Sequence, residues 1–154
     1  GPSVGGINPF DNISVSSTFN WRSGSYTTWD PLMTYKLQQN LHWKANYTFD
    51  ARFSKRIRYG KYTLSLFADV NNLFNYKMIN SLGFQDSDDS NRYYSSLHLP
   101  MYAGPEYQAA GYIAGNDKPG DRKSDEKPYI DMPNRDYLTY LDLRTAFFGI
   151  KIDF

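Results

Sequence analysis

The sequence contains no cysteine among its 154 residues, which excludes disulfide bonds and thiol chemistry. Long hydrophobic runs are also missing, since no apolar stretch approaches the roughly 18 residues that a transmembrane helix needs. Neither sign of charge is in excess, because 17 Lys and Arg residues against 16 Asp and Glu residues give a net charge of +1. This balance removes the electrostatic argument for nucleic-acid binding.

Aromatic residues are abundant instead, at 18% of the chain with 14 Tyr. The mean hydropathy is nevertheless −0.65, so the rings lie among polar residues rather than in apolar blocks. Four segments alternate apolar and polar residues with period two, which is typical of strands with two unlike faces. We predict strands at about 12–22, 43–58, 61–71 and 145–154. Lys55 interrupts an apolar face and Phe67 a polar one, and no helical period competes with these strands.

The connections between the strands differ sharply in length. Four residues, Arg58–Lys61, join the second strand to the third, whereas 23–41 and 75–144 are long polar loops. Loops beyond about 15 residues are uncommon in compact soluble domains, but short turns on one side and long loops on the other are typical of transmembrane β-barrels. We therefore predict an all-β fold, a section of about four strands of an antiparallel transmembrane β-barrel.

The short turn also predicts a pairing register. Gly60 and Lys61 suit the two central positions of a type II′ hairpin, which places Arg52 opposite Asp69 as a favourable cross-strand pair. A turn shifted by one residue would instead set Asp50 against Asp69, two like charges. We predict the first register.

Aromatic residues near the strand ends suggest where a membrane interface would lie. Tyr59 and Tyr62 flank the turn, and Lys55 could extend its stem along apolar surface toward the same interface. Trp21 and Trp43 would then lie near the opposite interface.

The stretch Tyr47–Lys77, "YTFDARFSKRIRYGKYTLSLFADVNNLFNYK", resembles the late barrel strands of TonB-dependent outer-membrane receptors. It ends in that family's motif, formed here by Asn71, Asn72, Leu73, Phe74 and Asn75. Ser23–Trp29 looks like the loop after an earlier strand of the family. Ala114–Asp121, "AGNDKPGD", is similar to the last extracellular loop of its Bacteroidetes-type branch.

The last strand resembles the C-terminal signal of such barrels as well. Gly149, Ile152 and Phe154 fit the glycine, apolar and aromatic places that the barrel-assembly machinery reads. Phe148 departs from the pattern, because it occupies a place that is usually polar.

The resemblance implies the C-terminal part of a bacterial outer-membrane receptor that imports a nutrient ligand. Such transporters use roughly 22 strands around a plugged lumen, so we expect this chain to be a fragment of a longer protein. The implied partners are the remaining barrel strands and the plug, TonB through an N-terminal part outside this chain, the barrel-assembly machinery and outer-membrane lipid. No cofactor is implied.

Two other functions remain open on the sequence. A small β-barrel or β-sandwich binding module would bury the apolar faces in its own core. One subunit of an oligomeric outer-membrane pore would contribute its strands to a shared barrel.

The loops offer weak candidates for chemistry. Asp86–Asn91 is rich in carboxylates, but Asn91 stands where a calcium-binding EF-hand requires glycine, so we expect a solvated acidic loop and no metal. We expect the same solvated state for Asp117 and Asp121. His42 and His98 fall in no catalytic pattern, and we predict no enzyme.

Tyrosines are frequent in the second long loop, and two roles are possible for them. They could contact a ligand, since flat rings provide contact area at low entropy cost, or they could pack the loop against itself, which we favour. The candidates are Tyr93, Tyr94, Tyr102, Tyr107 and Tyr112.

Overall fold

The computed structural model describes residues 11–135 and 139–154. The strands are β1 Ile13–Arg22, β2 Tyr26–Thr27, β3 Leu41–His42, β4 Asn46–Tyr59, β5 Tyr62–Asn71, β6 Met78–Ile79, β7 Tyr140–Leu141 and β8 Thr145–Asp153. The helices are α1 Ser87–Ser96 and α2 Pro105–Ala109, with a 3₁₀ turn at Pro100–Ala103 between them.

These elements belong to two compact units. The first, here called the sheet unit, comprises 11–20, 47–76 and 142–154. The second, here called the loop unit, comprises 21–46, 77–135 and 139–141.

The four long strands form one sheet in the order β1-β4-β5-β8. Arg52 pairs with Asp69 in the antiparallel β4–β5 hairpin, which confirms the predicted register. Gly60 has a φ of 57°, as the first central position of a type II′ turn requires. β8 pairs antiparallel with β5. Among the described residues the sheet is open, with β1 and β8 at its edges.

The expectation of loops without helices is wrong for 87–96. Helix α1 begins after Asp86, whose side chain accepts a hydrogen bond of 2.9 Å from the backbone N–H of Asp89. Asp88 and Asp89 lie in its first turn, where the positive end of the helix dipole stabilises carboxylates. Asp89, Tyr93 and Leu97 are buried at four-residue spacing, so one side of the helix packs inward.

The loop unit has its own aromatic core, so the two long connections are not loose loops. Its buried members are Trp29, Leu41, Trp43, Ile79, Tyr93, Tyr94, Leu97, Leu99, Tyr102, Tyr107 and Ile130. The indole N–H of Trp29 donates to the Tyr102 hydroxyl at 2.6 Å, which joins the two connections inside this core.

Trp43 corrects the sequence prediction of an interfacial ring. Strand β4 begins at Asn46 rather than at 43, and Trp43 is only 6% exposed and packed near Tyr93, with ring centroids 6.1 Å apart. In the described ranges, neither helix combines the length and the apolar character that crossing a bilayer would demand.

Candidate functional site: the apolar face of the sheet

One face of the sheet is apolar across neighbouring strands. Cross-strand pairing aligns Phe53, Ala68 and Phe148 in one row. The next row toward the hairpin turn contains Lys55, Leu66 and Ile150, and the row after it contains Ile57, Leu64 and Ile152. The alternating sequence therefore gathers its apolar residues on one side, as period two requires.

This face is not covered by the described residues of the chain. Phe148 is 80% exposed, Ile150 69% and Phe53 42%, and the edge strand β1 exposes Phe19 at 62% and Trp21 at 63%. None of these five residues belongs to a buried core. A contiguous apolar surface of this extent is typical of a surface that meets lipid or a partner.

The opposite face is polar and internally paired. Arg52 Nε lies 2.9 Å from Asp69 Oδ1, and the Asn20 side-chain amide donates to Asp50 Oδ2 at 2.9 Å. Phe67 and Phe147 are exceptions on this face, since Phe147 pairs with Asp69, and the guanidinium of Arg52 lies 5.5 Å from the ring centroid of Phe67. The two faces are therefore chemically different.

Lys55 places a cation in the middle rows of the apolar face. Its Nζ donates to the backbone carbonyl oxygen of Asp11 at 2.8 Å. At the hairpin end of the same face, Tyr62 makes an edge contact with Phe154 at 5.9 Å between ring centroids. Tyr59 lies beside them and is 80% exposed.

The motif at 71–75 forms a hydrogen-bonded junction centred on Asn72, which is buried and has a φ of 49°. Its side-chain N–H groups donate to the carbonyl oxygens of Tyr76 at 2.9 Å and Asp142 at 2.6 Å. Its Oδ1 accepts the Tyr76 N–H at 2.8 Å, and its own backbone N–H donates to Asp50 Oδ1. The side chain and the backbone N–H of this one residue thus connect β4, the turn after β5 and the segment before β8.

The other motif residues complete this junction. Asn71 donates to the Thr145 hydroxyl at 3.2 Å, and the Leu73 N–H donates to the Phe49 carbonyl at 2.7 Å. Phe74 is exposed, and its ring centroid lies 5.3 Å from that of Phe49. Asn75 has a φ of 50° and closes the turn through its backbone N–H. In this chain the motif acts as a structural clamp.

The tyrosines proposed for ligand contact lie in or against the core of the loop unit. Tyr93 and Tyr102 are fully buried, Tyr94 and Tyr107 are each 9% exposed, and Tyr112 packs against them. Burial raises the pKa of Tyr93, whose hydroxyl accepts the Gly120 N–H at 2.8 Å. A ligand could reach the four buried rings only if the core opened, whereas Tyr112 is partly exposed.

A buried charge cluster in the loop unit was missed by sequence analysis. Asp117 and Asp121 are 3% and 4% exposed, which corrects the expectation that they are solvated. Lys127 Nζ bridges both carboxylates, at 2.8 Å from Asp121 Oδ2, and Lys44 also pairs with Asp121. Three more donors reach these carboxylates, the N–H of His98, the N–H of Lys118 and the Tyr129 hydroxyl.

The pKa values follow from this pairing. Burial alone would raise the pKa of Asp121, but hydrogen bonds from Lys127 and Lys44 outweigh it and hold the pKa below its ordinary value. Burial alone would lower the pKa of Lys127, yet its two carboxylate partners raise it. Burial and the hydrogen bond to Asp117 raise the pKa of Tyr129. Asp121 and Lys127 therefore both stay charged near neutral pH, whereas Tyr129 stays protonated.

The loop unit also contains a cavity of about 420 Å³. Its lining mixes polar and apolar groups, among them Arg22, Lys44, Asn80 and Leu141. Gly24 forms part of this lining and packs closely on the backbone of Trp43, because a Cβ at Gly24 would meet the Trp43 carbonyl oxygen.

A serine and a histidine come into contact in the loop unit. Ser23 Oγ lies 3.3 Å from His42 Nε2, but the same nitrogen lies 3.0 Å from the Gly24 carbonyl oxygen. A carbonyl only accepts, so Nε2 carries the proton and cannot act as a base toward Ser23. Across the described residues, no three His, Asp or Glu side chains are grouped to hold a metal ion.

Comparison with protein-family models, with curated proteins and with solved structures finds no match to this chain.

Proposed function

We propose that this chain forms the C-terminal strands and loops of an outer-membrane β-barrel receptor that imports a nutrient ligand. The observation that carries the proposal is the exposed apolar face shared by β1, β4, β5 and β8. In water such a face would cost roughly 25 cal/mol for each Å² of apolar surface, whereas hydrocarbon removes that cost. The Arg52–Asp69 side of the sheet would then face a hydrated lumen.

The open edges of the sheet support the same proposal. β1 and β8 each leave backbone groups unpaired in the sheet described, and lipid cannot satisfy them. Further strands would have to complete the wall, from the rest of a receptor or from other copies in an oligomeric pore. A soluble sandwich is the less favoured alternative, because Phe148 and Ile150 have no covering layer among the described residues.

The C-terminal residues fit an assembly role within this proposal. Phe154 and Tyr62 pair at the hairpin end, where an interfacial aromatic belt would lie. Gly149, Ile152 and Phe154 would be the residues that the barrel-assembly machinery recognises, and TonB would act on the plug of the complete receptor.

Tryptophan quenching in bilayers tests whether the apolar face meets lipid. The chain has three Trp residues, and Trp21 is 63% exposed while Trp29 and Trp43 are buried. We expect phosphatidylcholine brominated on its acyl chains to quench the emission of the reconstituted chain, and Trp21→Phe to remove most of that quenching. Trp43→Phe is the matched control and should leave the quenching by brominated lipid unchanged. A monomer that stays soluble without detergent and is not quenched would contradict the proposal.

A further inference from the structure

The cavity in the loop unit is bounded by segments from distant parts of the chain. Its lining comes from 22–25, 43–46 and 79–82, together with Leu141. The Trp43 N–H donates to the Ser25 carbonyl oxygen at 2.9 Å. The Asn80 N–H donates to the Thr139 carbonyl oxygen at 2.9 Å. The volume of about 420 Å³ lies within the range of about 300–1,000 Å³ that is usual for small-molecule sites. The cavity is therefore held by the backbone and large enough for a small ligand.

Arg22 brings an unpaired positive charge to this cavity. It follows Trp21 in β1, so it lies on the polar side of that strand. Within the described ranges, no Asp or Glu contributes to the lining, and the Arg22 side chain forms no hydrogen bond, ion pair or ring contact. Lys44 also lines the cavity, but its ammonium pairs with Asp121. The uncompensated charge in the lining is therefore the guanidinium of Arg22.

Apolar and neutral polar groups complete the lining. Ile79 is buried, whereas Leu82 is 78% exposed, so aliphatic surface remains uncovered at the cavity. The Oδ1 of Asn80 accepts the Leu82 N–H at 3.0 Å, which leaves the amide N–H groups of Asn80 as donors. Ser25 and Asn46 add a hydroxyl and a second amide. A ligand that matches this lining has an apolar part beside groups that accept hydrogen bonds.

The charge of the lining restricts the ligand further. A guanidinium binds a carboxylate through two parallel hydrogen bonds, which are stronger than those between neutral groups. One uncompensated cation matches one negative charge. An ammonium on the ligand would find no carboxylate in the described lining, and a charge that loses its water without gaining a partner is costly. The same lining that accepts a monocarboxylate therefore disfavours a zwitterion.

We propose that the cavity binds a small monocarboxylate whose remaining part is uncharged and partly apolar. Arg22 holds the carboxylate, Asn80 donates to a neutral acceptor, and Leu82 contacts the apolar part. This inference rests on the proposed import function, because it names the chemical class of the nutrient ligand.

Isothermal titration calorimetry of the chain in micelles of an uncharged detergent tests the ligand class. The probes are N-acetylleucine, its amide N-acetylleucinamide and free leucine, which share one apolar side chain and differ in charge. We expect N-acetylleucine to bind at least about tenfold more tightly than either of the others, a factor that corresponds to about 1.4 kcal/mol. Equal affinities for the acid and its amide would overturn the proposal, as would the absence of a binding heat from N-acetylleucine.

Two pairs of variants test the assigned contacts. Arg22→Gln should weaken binding of N-acetylleucine about tenfold and leave N-acetylleucinamide unchanged, because only the acid uses the guanidinium. Arg58 is an exposed arginine outside the lining, so Arg58→Gln is the matched control and should keep the affinity. Leu82→Ala should also weaken binding of N-acetylleucine, whereas Leu143→Ala changes an exposed leucine outside the lining and should not. Equal effects of the two arginine variants, or of the two leucine variants, would overturn the proposal.

The two proposals fail in different ways. If brominated lipid quenches Trp21 but N-acetylleucine is not preferred over its amide, the ligand class is wrong and the membrane function stands. If N-acetylleucine binds through Arg22 but Trp21 is not quenched, the cavity is a binding site in a protein of another function, and the import proposal is wrong.

Discussion

Gly149 lies directly opposite Phe67 in the pairing of β5 with β8, and the ring of Phe67 occupies the space beside its Cα. A Cβ built on Gly149 would meet ring carbon Cζ, well inside van der Waals contact. The glycine that fits the assembly signal therefore also has a packing role within this sheet.

Replacement of Gly149 by alanine should destabilise the sheet. The Phe67 ring would have to leave its position under Arg52, and crowding of this kind costs about 1–3 kcal/mol. The free energy of unfolding in micelles, followed by circular dichroism in urea, measures the effect. In a Phe67→Ala background Gly149→Ala should be nearly neutral. An equal loss in both backgrounds would show that the ring is not the cause.

The sheet could be predicted from the sequence because the signals for strands and turns are local. Period two is visible within each strand, and the turn at Gly60 sets the β4–β5 register without reference to the rest of the chain. The place of Phe67 on the polar face could not be explained in this way. The residue that accommodates its ring, Gly149, lies on a strand far along the sequence.

The loop unit was less predictable, because its contacts join segments that are distant in the sequence. Alternation continues through Trp43, yet tertiary packing with Tyr93 removes that ring from the strand. Asp121 looks solvated among its charged neighbours, and its partner Lys44 comes from a distant segment. Helix α1 did carry a local signal, the capping Asp86, which the acidic composition obscured.

The clamp formed by Asn72 can be tested at matched positions. Asn72→Gly preserves the positive φ but deletes the amide, which leaves the carbonyls of Tyr76 and Asp142 without these donors. Each buried group left unsatisfied costs about 1–3 kcal/mol, so we expect a loss in that range in urea unfolding. Asn72→Asp should cost at least as much, because a carboxylate would face two carbonyl oxygens.

Asn75→Gly is the control for backbone effects. Asn75 has almost the same φ, 50° against 49°, but its side chain forms none of the bonds of the clamp. We expect little change in stability. Similar losses for Asn72→Gly and Asn75→Gly would assign the effect to the turn backbone and contradict the clamp.

The buried charge cluster predicts how the stability of the loop unit varies with pH. The pKa of Asp121 is below its ordinary value of 3.8, so its contribution is present above 3.8 and is lost as the pH falls below that value. The pKa of Lys127 is above its ordinary value of 10.5, so its contribution is complete below 10.5 and is lost as the pH rises further. The contributions of Asp121 and Lys127 should therefore be level between these limits and fall on both sides.

Emission from the core residues Trp29 and Trp43 in a Trp21→Phe background reports this unit selectively, because both rings are buried within it. Asp121→Asn should lower the stability at neutral pH, since it leaves Lys127 and Lys44 with one carboxylate fewer, and should make the acid-side fall shallower. Asp125→Asn removes an exposed carboxylate from the same segment and should leave the acid profile unchanged. If the two variants gave the same acid profile, the carboxylate responsible for the loss of stability would have to lie outside the cluster. The ion pairs around Lys127 would then not be what stabilises the loop unit against acid.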